Sequence, residues 1–491
     1  MFHMTHIRLW FGRVTLGTTL FCSLAARAEE RTERFDADPR WDGLNHRSTA
    51  SEPRRIRQDF GYGRTTHASS AGGEIGGFIS AAAEPAYYAK KIKDRSFDEP
   101  LSASGTLACD GQPFHALIGF FNAGGLKEWR TPSTVVLRVS GRDHVFYAWL
   151  EYCTARWRAG GDDPQSFPTV RDPQTGRSQF KGFAAKGKVH RWTLTYDPSG
   201  NGGQGVVTAT IGDAKAVCHL AKGHKADGAT FNRFGLLNVM KHADGGGQLW
   251  LGELSINGAR EDLSRDPGWD SLNNRREYVT ADIRPRFDFG YSLSQHAGGK
   301  GRGELGGLVF RGDCRYADKL AYYGDRLEAL SLEKPLKASG KVALKRGVTD
   351  SSTLIGFFNS RDSVEVNPSQ SSGIPKSFLG ISIEGPSREG FLFYPLYRTT
   401  PGEGGVARGD DLPHILPDGS AHDWSLSYDP SGADGRGRMR VTLDKESAVL
   451  ELADGHRREG ARFDRFGIVT TWIDGNGQQV YFDDLTYTYR Q

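Results

Sequence analysis

His190-Arg191-Trp192-Thr193-Leu194-Thr195-Tyr196 alternates with a period of two and then stops at Asp197-Pro198-Ser199-Gly200. That period sends successive side chains to opposite faces of an extended strand, so Trp192, Leu194 and Tyr196 share one face. The stop has turn chemistry: proline sets its own φ, and glycine tolerates positive φ. A Val/Thr-rich run from Gly205 to Ile211 follows, so the stretch predicts a β-hairpin. The same pattern returns from His422 to Gly432, with Trp424, Leu426, Tyr428 and Asp429-Pro430-Ser431-Gly432 in matching places.

The repetition extends over most of the chain. Asp38-Pro39-Arg40-Trp41-Asp42 returns as Asp266-Pro267-Gly268-Trp269-Asp270. Asp59-Phe60-Gly61-Tyr62, with His67 and Glu74, returns as Asp288-Phe289-Gly290-Tyr291, with His296 and Glu304. Tyr87-Tyr88 returns as Tyr322-Tyr323, Gly119-Phe120-Phe121-Asn122 as Gly356-Phe357-Phe358-Asn359, and Phe231-x-Arg233-Phe234-Gly235 from Phe463 to Gly467. Each copy spans roughly 225 residues, whereas a solenoid repeat spans about 20–50. The chain is therefore one domain written twice, with copies at 35–258 and 264–491.

The 491 residues include 63 glycines, and 11% are aromatic. Such a composition suits many short strands joined by tight turns. Tyr316 to Leu330 passes for an amphipathic helix, but its counterpart contains Glu84-Pro85, which argues for non-helical structure there. The expectation is all-β, with two tandem sandwiches.

Each half resembles a concanavalin A-like lectin/glucanase domain, the jelly-roll sandwich of legume lectins, laminin G-type modules and several glycoside hydrolases. The hairpin with Trp192 and Tyr196-Asp197-Pro198-Ser199-Gly200, its copy, and the closing stretches Phe231 to Ile256 and Phe463 to Tyr487 carry the resemblance. It implies two concanavalin-like jelly-roll β-sandwiches that contact carbohydrate. The glucanase signature Glu-x-Asp-x-x-Glu is absent from both copies.

Residues 1–28 read as a secretory signal peptide: Arg8 and Arg13, an apolar run to Ala26, then Ala26-Arg27-Ala28 as a cleavage site. About a dozen apolar residues are too few for a bilayer span, which needs about 20. The expected location is secreted, periplasmic or cell-surface, in a bacterial-type protein. The net charge is +4, and three arginines lie in the leader, so the remainder is near +1. That balance argues against nucleic acid as a partner. Cys109, Cys153, Cys218 and Cys314 make no metal-ligand spacing; one bridge among the first three is compatible with export.

Candidate site residues fall in two groups. The duplicated stretch offers Arg57 and Asp59, repeated as Arg286 and Asp288, for hydroxyl recognition or a surface ion pair. It also offers His67 with Glu74, repeated as His296 with Glu304, for acid–base work or for closing a turn. Gly76-Gly77 after the glutamate permits close approach of a backbone or a ligand. The second group is Tyr147, Trp149 and Glu151 on one strand face, followed by Arg156 and Trp157. Two rings beside a carboxylate suit a pyranose, although sandwich cores also take such rings. The second copy places Leu392, Tyr394 and Leu396 there, keeping one aromatic and losing the acid. In an enzyme, Glu151, or Glu74 with His67, would be catalytic. No cofactor is indicated beyond Ca²⁺ at the loop pairs Asp162-Asp163 and Asp410-Asp411. Three readings follow: a polysaccharide-binding protein, a glycoside hydrolase or polysaccharide lyase, and a structural envelope protein.

Overall fold

The structure is a computed structural model. It describes residues 28–48, 52–70, 72–161, 167, 169–171, 173, 178–284, 286–369, 373–387, 390–409, 411–470 and 475–491. The expected leader, apart from residue 28, and Asp162, Asp163 and Asp410 lie outside these residues. No helix among the described residues is long and apolar enough to cross a membrane.

Both halves are two-sheet antiparallel jelly-roll sandwiches, as the concanavalin-like reading expects. In the first, the back sheet runs Ala214–His219, Val206–Ile211, His190–Asp197, Leu101–Cys109, Gly246–Ile256, Glu74–Ser80, Arg54–Gly63, Arg275–Thr280. The front sheet runs Ala159–Gly161, Val145–Cys153, Thr134–Arg142, Phe114–Phe121, Phe231–Asn238, Tyr87–Arg95, Asp270–Leu272. The second sandwich repeats this. Its back sheet runs from Glu446–Glu451 through Ala421–Asp429, Leu336–Gly347 and Gly477–Arg490 to Asp288–Ser292. Its front sheet runs from Gly404–Val406 through Gly390–Arg398, Phe378–Ser387 and Ser351–Phe358 to Asp42–Leu44. Tyr322–Ser331 is a strand preceded by a single 3-10 turn at Ala317–Lys319, so no amphipathic helix forms there, in keeping with the proline in its counterpart.

The hairpin holds each core. Trp192, Leu194 and Tyr196 are buried in the first core, and Trp424, Leu426 and Tyr428 in the second. The tyrosine hydroxyls donate across their sandwiches to Phe97 O (2.8 Å) and Leu332 O (2.9 Å), so neither is buried without a partner. At the turn, Asp197 accepts from the backbone and hydroxyl of Ser199 at 2.9 and 2.6 Å, and Asp429 does the same for Ser431. Gly200 itself has φ −62°, so the left-handed positions come later than the sequence suggests. Gly205, at φ +101°, is one of them, and a Cβ there would sit 2.6 Å from the Tyr196 hydroxyl.

The packing units cross the repeat units. Glu29–Glu33 pairs with Gly477–Arg490, and Asp42–Leu44 with Tyr322–Ser331, so the N-terminal arm completes the second sandwich. Reciprocally, Asp270–Leu272 pairs with Tyr87–Arg95, and Arg275–Thr280 with Arg54–Gly63. The contacts are the same on both sides. Asp42 accepts from Arg465 and Tyr322, and Asp270 from Arg233 and Tyr87. Trp41 packs against Tyr323, and Trp269 against Tyr88. The expected boundaries 35–258 and 264–491 follow the repeat in the sequence, whereas each arm docks on the other copy, which offers it the same tyrosine pair.

Further contacts join the sandwiches. Glu128, fully buried, accepts from the backbone and hydroxyl of Thr349, and burial pushes its carboxyl up to about 8. The His242 ring lies 6.3 Å from that of Phe310, and Arg346 pairs with Asp282. Cys109 and Cys153 are buried thiols, so no bridge forms among the first three cysteines.

Candidate functional site

The strand Val145–Cys153 alternates as the period of two requires. Phe146, Ala148 and Leu150 enter the core, while Tyr147 and Trp149 stand half-buried on the outer face of the front sheet. Their ring centroids are 6.2 Å apart. They line an open cavity of about 740 Å³ together with His115, Ser140, Arg142 and Asp244. Register explains the assembly: Ser140 lies between His115 on one neighbouring strand and Tyr147 on the other.

Glu151 shares that face but is only 2% exposed. Its Oε1 accepts from Arg138 Nε at 2.6 Å and its Oε2 from Trp129 Nε1 at 2.8 Å. The Arg138 guanidinium lies 4.0 Å from the Trp149 ring centroid and 4.8 Å from that of Trp129. The predicted sugar-binding or catalytic carboxylate is thus enclosed, with one oxygen holding Arg138 beneath Trp149 and the other engaged by the Trp129 indole. Arg138 was legible as the one charge within Val135-Val136-Leu137-Arg138-Val139; Trp129, on a loop, carried no such signal.

Electrostatics keep the groove's imidazole neutral. Burial, and then the charges of Lys241 and Arg138, push His115 down to about 3. Burial alone would raise Asp244, but Lys241, paired with it at 2.7 Å, holds it below the ordinary carboxylate range. The groove therefore offers a neutral imidazole, a hydroxyl and a carboxylate beside two rings.

Arg156 is exposed near this sheet's end, but Trp157 leaves the face altogether. At φ +64° its ring turns into the second core, 5.5 Å from Phe391. Its expected ligand role gives way to a packing role across the junction.

The duplicated stretch lies on the outer face of the back sheet, away from this groove. Arg57 and Asp59 form an exposed pair at 2.6 Å. Asp288 binds Arg47 of the arm at 2.7 Å and Arg286 at 3.4 Å. Such exposed pairs contribute about 0–1 kcal/mol. Glu74 is fully buried and accepts from Thr65 Oγ1 (2.5 Å), the backbones of His67 (3.0 Å) and Ala68 (2.7 Å), and His67 Nδ1 (2.7 Å). Glu304 likewise accepts from the backbones of His296 and Ala297 at 2.8 and 2.7 Å. His67 stacks on Trp250 at 3.8 Å, whereas His296 Nε2 lies 3.3 Å from Lys345 Nζ. These glutamates close a loop. Gly76 and Gly77 serve strand approach, since a Cβ would meet Leu249 O at 2.2 Å or Asp59 O at 2.3 Å.

Burial would raise Glu74, but its hydrogen bonds from Thr65, Ala68 and His67 outweigh that and hold it low. A depressed carboxyl stabilises above its unfolded value and loses that contribution as pH falls through the folded one. Glu74→Gln should therefore cost about 1–3 kcal/mol at neutral pH. The gap to the unmodified protein should close in acid, which denaturant titrations across pH would measure. A gap that persists in acid would refute the assignment.

The second sandwich has its own groove at the equivalent place, of about 530 Å³. Tyr394 replaces Trp149 and donates to Glu384, and Leu396 stands at the position of Glu151. Arg311, Arg398 and Arg408 also line it.

No family model and no curated protein matches the chain. Solved structures with similarity include the mouse laminin alpha1 chain domains LG4-5, at 10% identity and TM-score 0.24, covering 89% of this chain and 92% of that one. The Emp47p carbohydrate recognition domain matches at 8% identity and TM-score 0.27, over 41% of this chain and 89% of its own. An alginate lyase of Pseudomonas aeruginosa matches at 12% and 0.24, over 41% and 87%. At such scores these likenesses carry no functional argument.

Proposed function

We propose that this is an exported protein that binds an extracellular polysaccharide through the front groove of its first sandwich. The observation that carries the reading is the pair of half-exposed rings, Tyr147 and Trp149, in an open cavity with hydrogen-bonding groups around it. Aromatic faces take the apolar face of a sugar ring, while His115, Ser140 and Asp244 meet hydroxyls. Binding is favoured over hydrolysis by the placement of the acids. Glu151 has both oxygens engaged, and Glu74 lies on the outer face of the other sheet. The two carboxylates do not face each other across one groove, as paired glycosidase acids do.

The test is a polysaccharide panel scored for retention and for released reducing or unsaturated ends. Retention without released ends is expected; released ends would establish an enzyme, and no retention on any glycan would favour the structural envelope role. Trp149→Ala should weaken binding about tenfold or more, a loss of about 1.4 kcal/mol, with an unchanged circular dichroism spectrum. Undiminished binding by the folded variant would remove this groove from the reading.

A further inference from the structure

We infer that the second groove is a separate saccharide site, one that takes a neutral sugar by hydrogen bonds rather than by ring stacking. The inference rests on the glycan-binding reading of the first groove and gives the chain a second, independent site.

Register puts this groove at the same place in its sheet as the first. Ser352 pairs with Glu384 and Ser382 with Tyr394, as His115 pairs with Ser140 and Arg138 with Trp149. The exchanged residues change the chemistry. Where Arg138 and Glu151 lie beneath Trp149, the second groove has Ser382 and Leu396, which carry no charge. Tyr394 offers no stacking face: it is 9% exposed and packs with Ala407, Leu412 and Ala448.

Hydrogen-bonding groups remain. Ser352 is 3% exposed, and its hydroxyl has no partner among the described residues, although the side chain lines the groove. A buried hydroxyl left unpaired costs free energy, which a ligand hydroxyl would recover. Glu384 receives the Tyr394 hydroxyl on Oε2, which leaves Oε1 to accept a second one. A carboxylate acceptor and guanidinium donors in one groove match sugar hydroxyls, each of which both donates and accepts. Leu354, Leu396 and Val406 supply apolar surface for the C–H groups of the sugar.

Balanced charge selects a neutral ligand. Arg311, Arg398 and Arg408 line the groove together with Glu384. Asp350 pairs with Arg311, and Glu403 lies close enough to Arg398 to offset its charge. These carboxylates match the guanidinium groups in number, so an anion gains little there over a neutral sugar.

The test is calorimetric titration of the full chain with neutral tetrasaccharides of glucose, mannose, galactose and xylose, and with a tetrasaccharide of uronic acid. Trp149→Ala, which weakens the first groove, should still bind one neutral tetrasaccharide per chain at undiminished affinity. Adding Ser352→Ala should weaken that binding about tenfold without lowering the denaturation midpoint, because the hydroxyl it removes has no partner to lose. Loss of all binding in Trp149→Ala would overturn the second site and leave the first groove's function standing. Binding that ignores Ser352→Ala would place it outside the second groove and overturn the inference. Tighter binding of the uronic acid tetrasaccharide by Trp149→Ala would overturn the neutral assignment. Failure of every tetrasaccharide to bind the unmodified chain would overturn this inference together with the reading beneath it.

Discussion

Trp41→Ala should destabilise the second sandwich, although Trp41 belongs by sequence to the first repeat. Its ring is 9% exposed and packs against Phe35 at 5.4 Å, Tyr323 at 5.8 Å and Tyr487 at 6.1 Å. Truncating such a buried tryptophan costs about 3–5 kcal/mol, from lost burial and the cavity left behind. The readout must be local, because a two-sandwich chain need not unfold in one step. Hydrogen exchange should quicken in Tyr322–Ser331 and Gly477–Arg490, where the arm pairs, and stay slow in Leu101–Cys109. Trp269→Ala should act on the first sandwich, and more weakly, since its ring is only half-buried against Tyr88. Faster exchange in the first sandwich after Trp41→Ala would refute the crossed arrangement.

The second large effect is expected at Arg138. Its side chain is 8% exposed and that of Glu151 is 2% exposed, so neither charge has water to fall back on. Arg138→Ala leaves Glu151 with only the Trp129 N–H and should cost about 3–5 kcal/mol. Replacing both partners, Arg138→Met with Glu151→Leu, should recover most of that loss, because it removes the unpaired charge as well as the pair. Denaturant midpoints of the single and double variants, compared as a thermodynamic cycle, measure the coupling. A cost for Arg138→Ala within the roughly 0.5 kcal/mol of an ordinary surface change would show that the carboxylate is not enclosed. Glycan binding by the double variant is informative too. If Arg138 serves to hold Trp149 in place, the double variant should be stable yet bind less well.

Much of the candidate site was legible from spacing. Tyr147 and Trp149 were expected on one face, and the period of two does place them outside the core. That period cannot say what covers a face. Glu151 shares the face, yet Arg138 from the adjacent strand and Trp129 from a loop close over it. Trp157 follows a run that reads as ligand-binding, but one left-handed backbone angle sends its ring into the neighbouring sandwich. The recurring Asp, His and Glu looked like a duplicated active site. Their partners are loop amides and neighbouring arginines, so they recur because each copy must close the same loop.

The alternating strands, the Asp-Pro-Ser-Gly turns and the doubling of the domain were all determined by the sequence. Each depends on residues that are adjacent, or on direct comparison of one copy with the other. Tertiary structure alone decided the rest. Both copies offer the same tyrosine pair and Asp-binding arginine, so local chemistry cannot say which copy an arm joins. The back-sheet candidates and the front groove were separated onto opposite faces by the sandwich itself. The junction between the sandwiches exists only where chain-distant residues, such as His242 and Phe310, come into contact.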